Sequence, residues 1–154
     1  MKSSKNVLDS SNQLNISEMI QYGEEHININ VRYFVKCRDY TELITHLMNI
    51  MNAFNEKKRL ENRGKFVKLI IDFESINISS IDFDFVKTMI NYLDTNYEEV
   101  ITNIYCINVS LLFKMVYKIL KPVLTKKVKE KIKFIKKGKN QELIELTEAD
   151  FDNM

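Results

Sequence analysis

One proline and three glycines in 154 residues leave almost nothing from which to build a flexible linker. A second domain is therefore not expected, and a chain of this length can bury a core without staples. No apolar run approaches the ~20 residues of a spanning helix, and the N-terminus lacks a signal peptide's apolar segment. The expected location is the cytoplasm. The two cysteines, Cys37 and Cys106, stand far apart in apolar, strand-like stretches. They read as reduced, buried thiols rather than as a disulfide or a metal site. The sequence has no phosphate-cradling glycine loop, no metal-spaced histidine pair and no nucleophile–base pair. His26 and His46 read as surface residues, the latter off the apolar face of its helix. Asp72 and Glu74, near the carboxyl end of a central strand, would suit a divalent metal in a phosphoryl-transfer site, but nothing completes it. Neither catalysis nor a cofactor is expected.

What is present is the balance of a globular protein, 45% hydrophobic and 29% charged. Met1 to Asn15 is polar and weakly patterned, a loose tail. Residues 1–20 are assigned to this tail and 21–154 to a single domain. Ile27, Ile29, Val31, Tyr33 and Val35 alternate with polar residues as a strand with one polar face. Asp39 and Glu42 have the spacing of a capping box ahead of a helix carrying Tyr40, Leu43, Ile44, Leu47, Ile50, Met51 and Phe54 on one side. A charged turn from Arg59 to Lys65, containing Gly64, stops it. Phe66 to Phe73 is apolar almost throughout, as a strand covered on both faces would be. Asp82 is placed to cap a second helix with Val86, Met89, Ile90, Leu93 and Tyr97 inward. Ile101 to Ile107 reads as a strand, Ser110 to Leu120 as a helix ended before Pro122, and Ile132 to Ile135 as a short strand. Gln141 to Leu146 reads as a final helical turn. Strands and helices alternate, so the class is α/β with a mostly parallel sheet flanked by helices.

The net charge of +2 hides an asymmetry. Nine lysines and one glutamate fall between Lys121 and Lys139, so the rest of the chain is acidic overall. Arginine is absent from this segment and Phe134 is its only aromatic, which gives no stacking platform for nucleic acid. An anionic membrane surface suits it better, at about 1 kcal/mol per lysine near the surface.

Four pieces in order carry a family resemblance. Asp72 is followed by Ser75-Ile76-Asn77-Ile78-Ser79; Asn96-Tyr97-Glu98-Glu99 precedes a strand; Ile107-Asn108 ends that strand; and Leu120-Lys121-Pro122-Val123-Leu124 is followed by Lys131-Ile132. Together they resemble the CRAL-TRIO lipid-binding family, the class of the yeast-type phosphatidylinositol-transfer proteins, over Ile27 to Ile135. The chain departs from that pattern in the glycine missing after Asp72, in Glu98 at the turn proline, and in Val109-Ser110 after Asn108. The helical module that usually precedes the domain is not expected here, for want of room ahead of Ile27. Surface it would cover is then exposed, which suggests a homodimer or a cover formed by the N-terminal tail.

The resemblance implies a mobile gate helix over an apolar lipid pocket, carried here by Leu111, Leu112, Met115, Val116, Ile119 and Leu120. It implies a headgroup site at Glu99 and Lys131, where a carboxylate accepts from inositol hydroxyls and an ammonium donates to phosphate. A threonine that contributes in the transfer proteins is Val128 here. Positions that serve a choline headgroup in some members are Val67 and Leu69, which favours an inositol lipid. Lys126, Lys127, Lys129 and Lys133 would dock the domain, peripherally and transiently, on membrane. Each buried methylene is worth about 0.8 kcal/mol, so moving two acyl chains into water costs on the order of 20 kcal/mol. A carrier must therefore open only against a bilayer. The expected function is to bind phosphatidylinositol and transfer or present it between membranes. The alternative is a non-catalytic STAS-like regulatory domain, switched by phosphorylation at Ser79 or Ser80 near a helix start.

Overall fold

The computed structural model describes residues 16–36, 39–147, 149, 150 and 153. The tail through residue 15 and Cys37 lie outside the described residues. The strands are β1 (Ile20–Tyr22), β2 (His26–Asn30), β3 (Val67–Asp72), β4 (Ile101–Ile107), β5 (Ile132–Lys137) and β6 (Leu143–Leu146). The helices are α1 (Thr41–Leu60), α2 (Phe83–Tyr97), α3 (Leu111–Leu120) and α4 (Lys126–Lys131). They form one sheet in chain order, β1-β2-β3-β4-β5-β6. β2 to β5 are parallel, and β1 and β6 run antiparallel at the edges. This is the α/β class expected from the alternation of patterns.

Each connection between neighbouring parallel strands steps the same way across the sheet. A right-handed crossover then puts every helix on the same face. Burial follows that rule. Ile27, Ile29, Val67, Leu69, Ile71, Ile104, Cys106 and Phe134 point to the helices and are buried. Their alternates on the reverse face, Asn28, Ile70, Tyr105, Lys133 and Ile135, are only half-buried. The uniformly apolar Phe66–Phe73 segment is thus covered on one face rather than two, with Lys68 exposed on the other.

Local chemistry sets the ends of the elements. Asp39 accepts from the Thr41 amide at 3.0 Å and its hydroxyl at 2.7 Å, instead of forming a box with Glu42. Those bonds hold its carboxyl below the usual range, the amide contributing most. At the other end of α1, Lys57, Lys58 and Arg59 meet the negative pole of the helix. Asn62, at φ 50°, rather than Gly64, takes the left-handed turn. Asp82 caps α2 through the Phe85 amide at 3.0 Å.

Three further expectations change, and one element, α4, was not expected. The β2 ladder ends at Asn30, and Val31–Tyr33 coil into a 3₁₀ turn. Residues 16–20, assigned to the tail, belong to the fold: Met19 and Ile20 are buried, and β1 pairs with β2. α4 has only Val128 as a buried residue, too little apolar signal to reveal a helix, though Thr125 caps it through the Val128 amide. Gln141–Leu146 contributes a strand instead of a helical turn. Its residues close a hairpin on β5 through the Gly138 amide and the Glu142 carbonyl at 2.8 Å, with Gln141 at φ 66°.

The one-sided sheet predicts unequal costs at neighbouring positions. Leu69→Ala should destabilise the fold by about 2–5 kcal/mol and Ile70→Ala by about half of that or less, read from urea unfolding midpoints. Equal losses would contradict burial on one face.

Candidate functional site

Asn108, at φ 58°, turns the chain after β4. Its side-chain amide donates to Asp72 Oδ1 at 2.7 Å, and the same oxygen accepts from the Glu74 amide at 2.9 Å. Asp72 therefore ties the ends of β3 and β4 together, which accounts for it as a structural acceptor. The chain then enters α3.

α3 is apolar on two sides. Phe113, Val116, Tyr117 and Leu120 face the sheet and are buried. Phe113 lies 4.4 Å from Phe73 between ring centroids, and Tyr117 meets Phe134 edge-on at 4.9 Å. These rings fill the space beneath the helix. The opposite side carries Leu111 (65% exposed), Met115 (58%), Leu112 (43%) and Ile119 (44%), followed by Val123 (45%) in the 3₁₀ turn that contains Pro122. Of the six residues assigned to gate and acyl pocket, Val116 and Leu120 point inward and Leu111, Leu112, Met115 and Ile119 point to solvent. Periodicity could not tell which apolar side would meet the sheet, and the two aromatics took it.

A polar seam joins this segment to α2. Asn91 Nδ2 donates to the Val123 carbonyl at 2.9 Å, Lys131 Nζ lies 2.7 Å from Asp94 Oδ1, and Lys127 Nζ lies 3.1 Å from Glu98 Oε2. Asn91, Asp94 and Glu98 are spaced i, i+3, i+7, one stripe of a helix. Asp94 is 4% exposed, the one buried charged residue among those described. Lys127 holds the Glu98 carboxyl below its usual range, by hydrogen bond first and by charge second. Sequence reading missed Asp94 because it sits directly after the core residue Leu93. The polar spacing along α2 was the available signal.

The two headgroup candidates do not meet. Glu99 is exposed and lines a groove of about 490 Å³ with Asn55, Lys58, Arg59, Asn96 and Glu98, whereas Lys131 turns to Asp94. Val67, Leu69 and Val128 are fully buried in the core. Of the docking lysines, Lys126, Lys127 and Lys129 project from α4 and are exposed. Lys133 stands on β5, 3.8 Å from Glu145, and lines a groove with Lys129. Ser79 and Ser80 bond to Asn77 in the turn ahead of the Asp82 cap. Cys106 is buried, and burial pushes its thiol up to about 12.

A two-layer α/β domain with an amphipathic segment hung between two central strands, and no helix long and apolar enough to cross a membrane among the described residues, defines the class. A CRAL/TRIO domain model matches residues 16–151, and the chain belongs to the CRAL-TRIO family. Members of that family bind lipophilic ligands. Among solved structures the chain is similar to the crystal structure of Sfh5, at 14% identity and a TM-score of 0.44. That similarity covers 81% of this chain and 49% of Sfh5, so the chain spans about half the length of that relative. No curated protein matches it.

The raised Cys106 thiol makes a simple prediction. In a Cys37→Ser background the native protein should resist a thiol reagent at pH 8 and react once unfolded in guanidinium. Rapid labelling of the native protein would contradict the burial described here.

Proposed function

We propose that this domain binds a phospholipid, phosphatidylinositol, under α3 and transfers or presents it between membranes. The observation that carries the reading is the solvent-facing stripe of α3: among the described residues, Leu111, Leu112, Met115 and Ile119 have no partner layer over them. The family's lipophilic ligands give such a surface a purpose. Full burial of an apolar side chain of this size is worth about 1.5–3 kcal/mol. Half-exposed residues recover part of that, so the stripe supplies several kcal/mol in all. Lys126, Lys127 and Lys129 beside it add about 1 kcal/mol each on an anionic surface. The sum is in the range of a weak, reversible peripheral contact, which suits a carrier that must also leave.

The same contact supports a gating role. Lifting α3 in water would expose Phe113, Val116, Tyr117 and Leu120 in addition to the outer stripe. Against a bilayer both sides find apolar surroundings, and acyl chains take the place of the rings that now fill the core. Apolar Val67 and Leu69 at positions that serve choline in relatives support an inositol lipid. Lys131 and Glu99 are the residues proposed to meet its phosphate and hydroxyls.

The test is cosedimentation with phosphatidylcholine vesicles with and without phosphatidylinositol, at rising salt. Binding should need the anionic lipid, weaken with salt, and fall at least tenfold in Leu111→Asp/Met115→Asp, with the fold intact by circular dichroism. Salt-independent binding would remove the lysines from the account, and binding unchanged in that double variant would remove the stripe.

A further inference from the structure

The seam between α2 and the α3–α4 segment is built differently from the rest of the fold. Elsewhere the helices are held mainly by apolar packing, with hydrogen bonds beside it from the Tyr97 hydroxyl of α2 to Asn52 of α1 at 3.1 Å and from Lys57 of α1 to the Glu24 carbonyl at 3.4 Å. Here Asn91, Asp94 and Glu98 on one stripe of α2 hold Val123, Lys131 and Lys127 through a neutral hydrogen bond and two ion pairs. The central pair is shielded, with the Asp94 side chain 5% exposed and that of Lys131 14%. The outer pair is open, at 35% for Glu98 and 66% for Lys127. The seam therefore runs from solvent toward the interior, with a lysine at each ion-paired position.

We infer that this seam is a competitive latch: the phosphate of an anionic headgroup takes Lys127 and then Lys131 from Glu98 and Asp94, and so frees the α3–α4 segment to lift. The chemistry is an exchange of one oxyanion for another at an ammonium, which needs no co-reactant. The incoming phosphate meets exposed Lys127 first and reaches Lys131 as the segment moves. Asp94 and Glu98 are positioning residues. They hold Lys131 inward and Lys127 against α2, and so keep the segment closed while no anion is present.

The latch also accounts for the separation of Glu99 from Lys131. With Lys131 held by Asp94, the headgroup site is only half assembled in the closed state. This inference rests on the proposed binding of an anionic lipid, and its test separates the two. Asp94 is peculiar to the seam, and its carboxylate opposes the lipid phosphate rather than assisting it. Removing it should therefore favour the ligand.

The experiment compares wild type, Asp94→Asn, Glu98→Gln and Lys131→Ala by hydrogen exchange and by binding to phosphatidylinositol-containing vesicles. Soluble inositol phosphate and inorganic phosphate serve as separate arms. Exchange across residues 111–131 should quicken in Asp94→Asn and in Lys131→Ala alike, because each breaks the central pair, while protection of β3 and β4 stays. Vesicle binding should then diverge, rising several-fold in Asp94→Asn and falling in Lys131→Ala. Glu98→Gln, at the solvent end, should shift both readouts in the direction of Asp94→Asn by less, and it covers the case in which Asp94→Asn fails to fold. Quickened exchange on adding soluble inositol phosphate or phosphate to wild type would assign the trigger to the phosphate alone; quickening only with vesicles would assign it to the lipid at a surface. Asp94→Asn and Glu98→Gln that bind more weakly than wild type, or quickened exchange spread evenly over the whole fold, would overturn the latch. Wild type that binds no vesicle while phosphate still quickens 111–131 would uphold the latch and discard the lipid reading.

Discussion

Parallel strands laid down in chain order leave their right-handed connections only one side of the sheet to occupy, and most of this structure follows from that constraint. The helix-facing side of β2 to β5 becomes a continuous apolar floor. The reverse side keeps Lys68 and the half-buried Asn28, Ile70, Tyr105 and Lys133. It also places α3, the connection between β4 and β5, on the same floor as α1 and α2. A helix with two apolar sides must then show one of them to solvent.

That geometry separates two ways of holding a helix. α1 and α2 are bound by their apolar stripes, Leu43, Leu47, Ile50, Met51 and Phe54 on the one and Val86, Met89, Ile90 and Leu93 on the other. α3 rests on the floor through Phe113, Val116, Tyr117 and Leu120, but the segment that follows it is tied to α2 by polar groups. An ion pair shielded from water adds little net stability over an apolar contact, because desolvation offsets most of the attraction. What it adds is responsiveness to another charge. On the proposed latch, the segment between β4 and β5 is the part of the fold where an anionic ligand alters the balance.

Long periodic elements were legible in the sequence. The inner residues of α2, the limits of β4 and the Asp82 cap follow from spacing alone, because each reports a purely local rule. Elements that depend on partners did not show. β1 and β6 are edge strands of three and four residues, and only pairing with β2 and β5 defines them. α4 is lysine-rich with a single apolar anchor. The family was readable from four short motifs in order, whereas the surroundings of the candidate site residues were not. Which side of α3 met the sheet depended on how Phe113 and Tyr117 pack against Phe73 and Phe134, and Lys131 met an aspartate that no motif marks.

The most direct test of the central claim is mass spectrometry of the intact protein after exposure to vesicles containing phosphatidylinositol, followed by solvent extraction and lipid identification. The account predicts one phospholipid per chain, an inositol lipid in preference to a choline lipid. A protein that stays empty, after purification and after exposure, would contradict it.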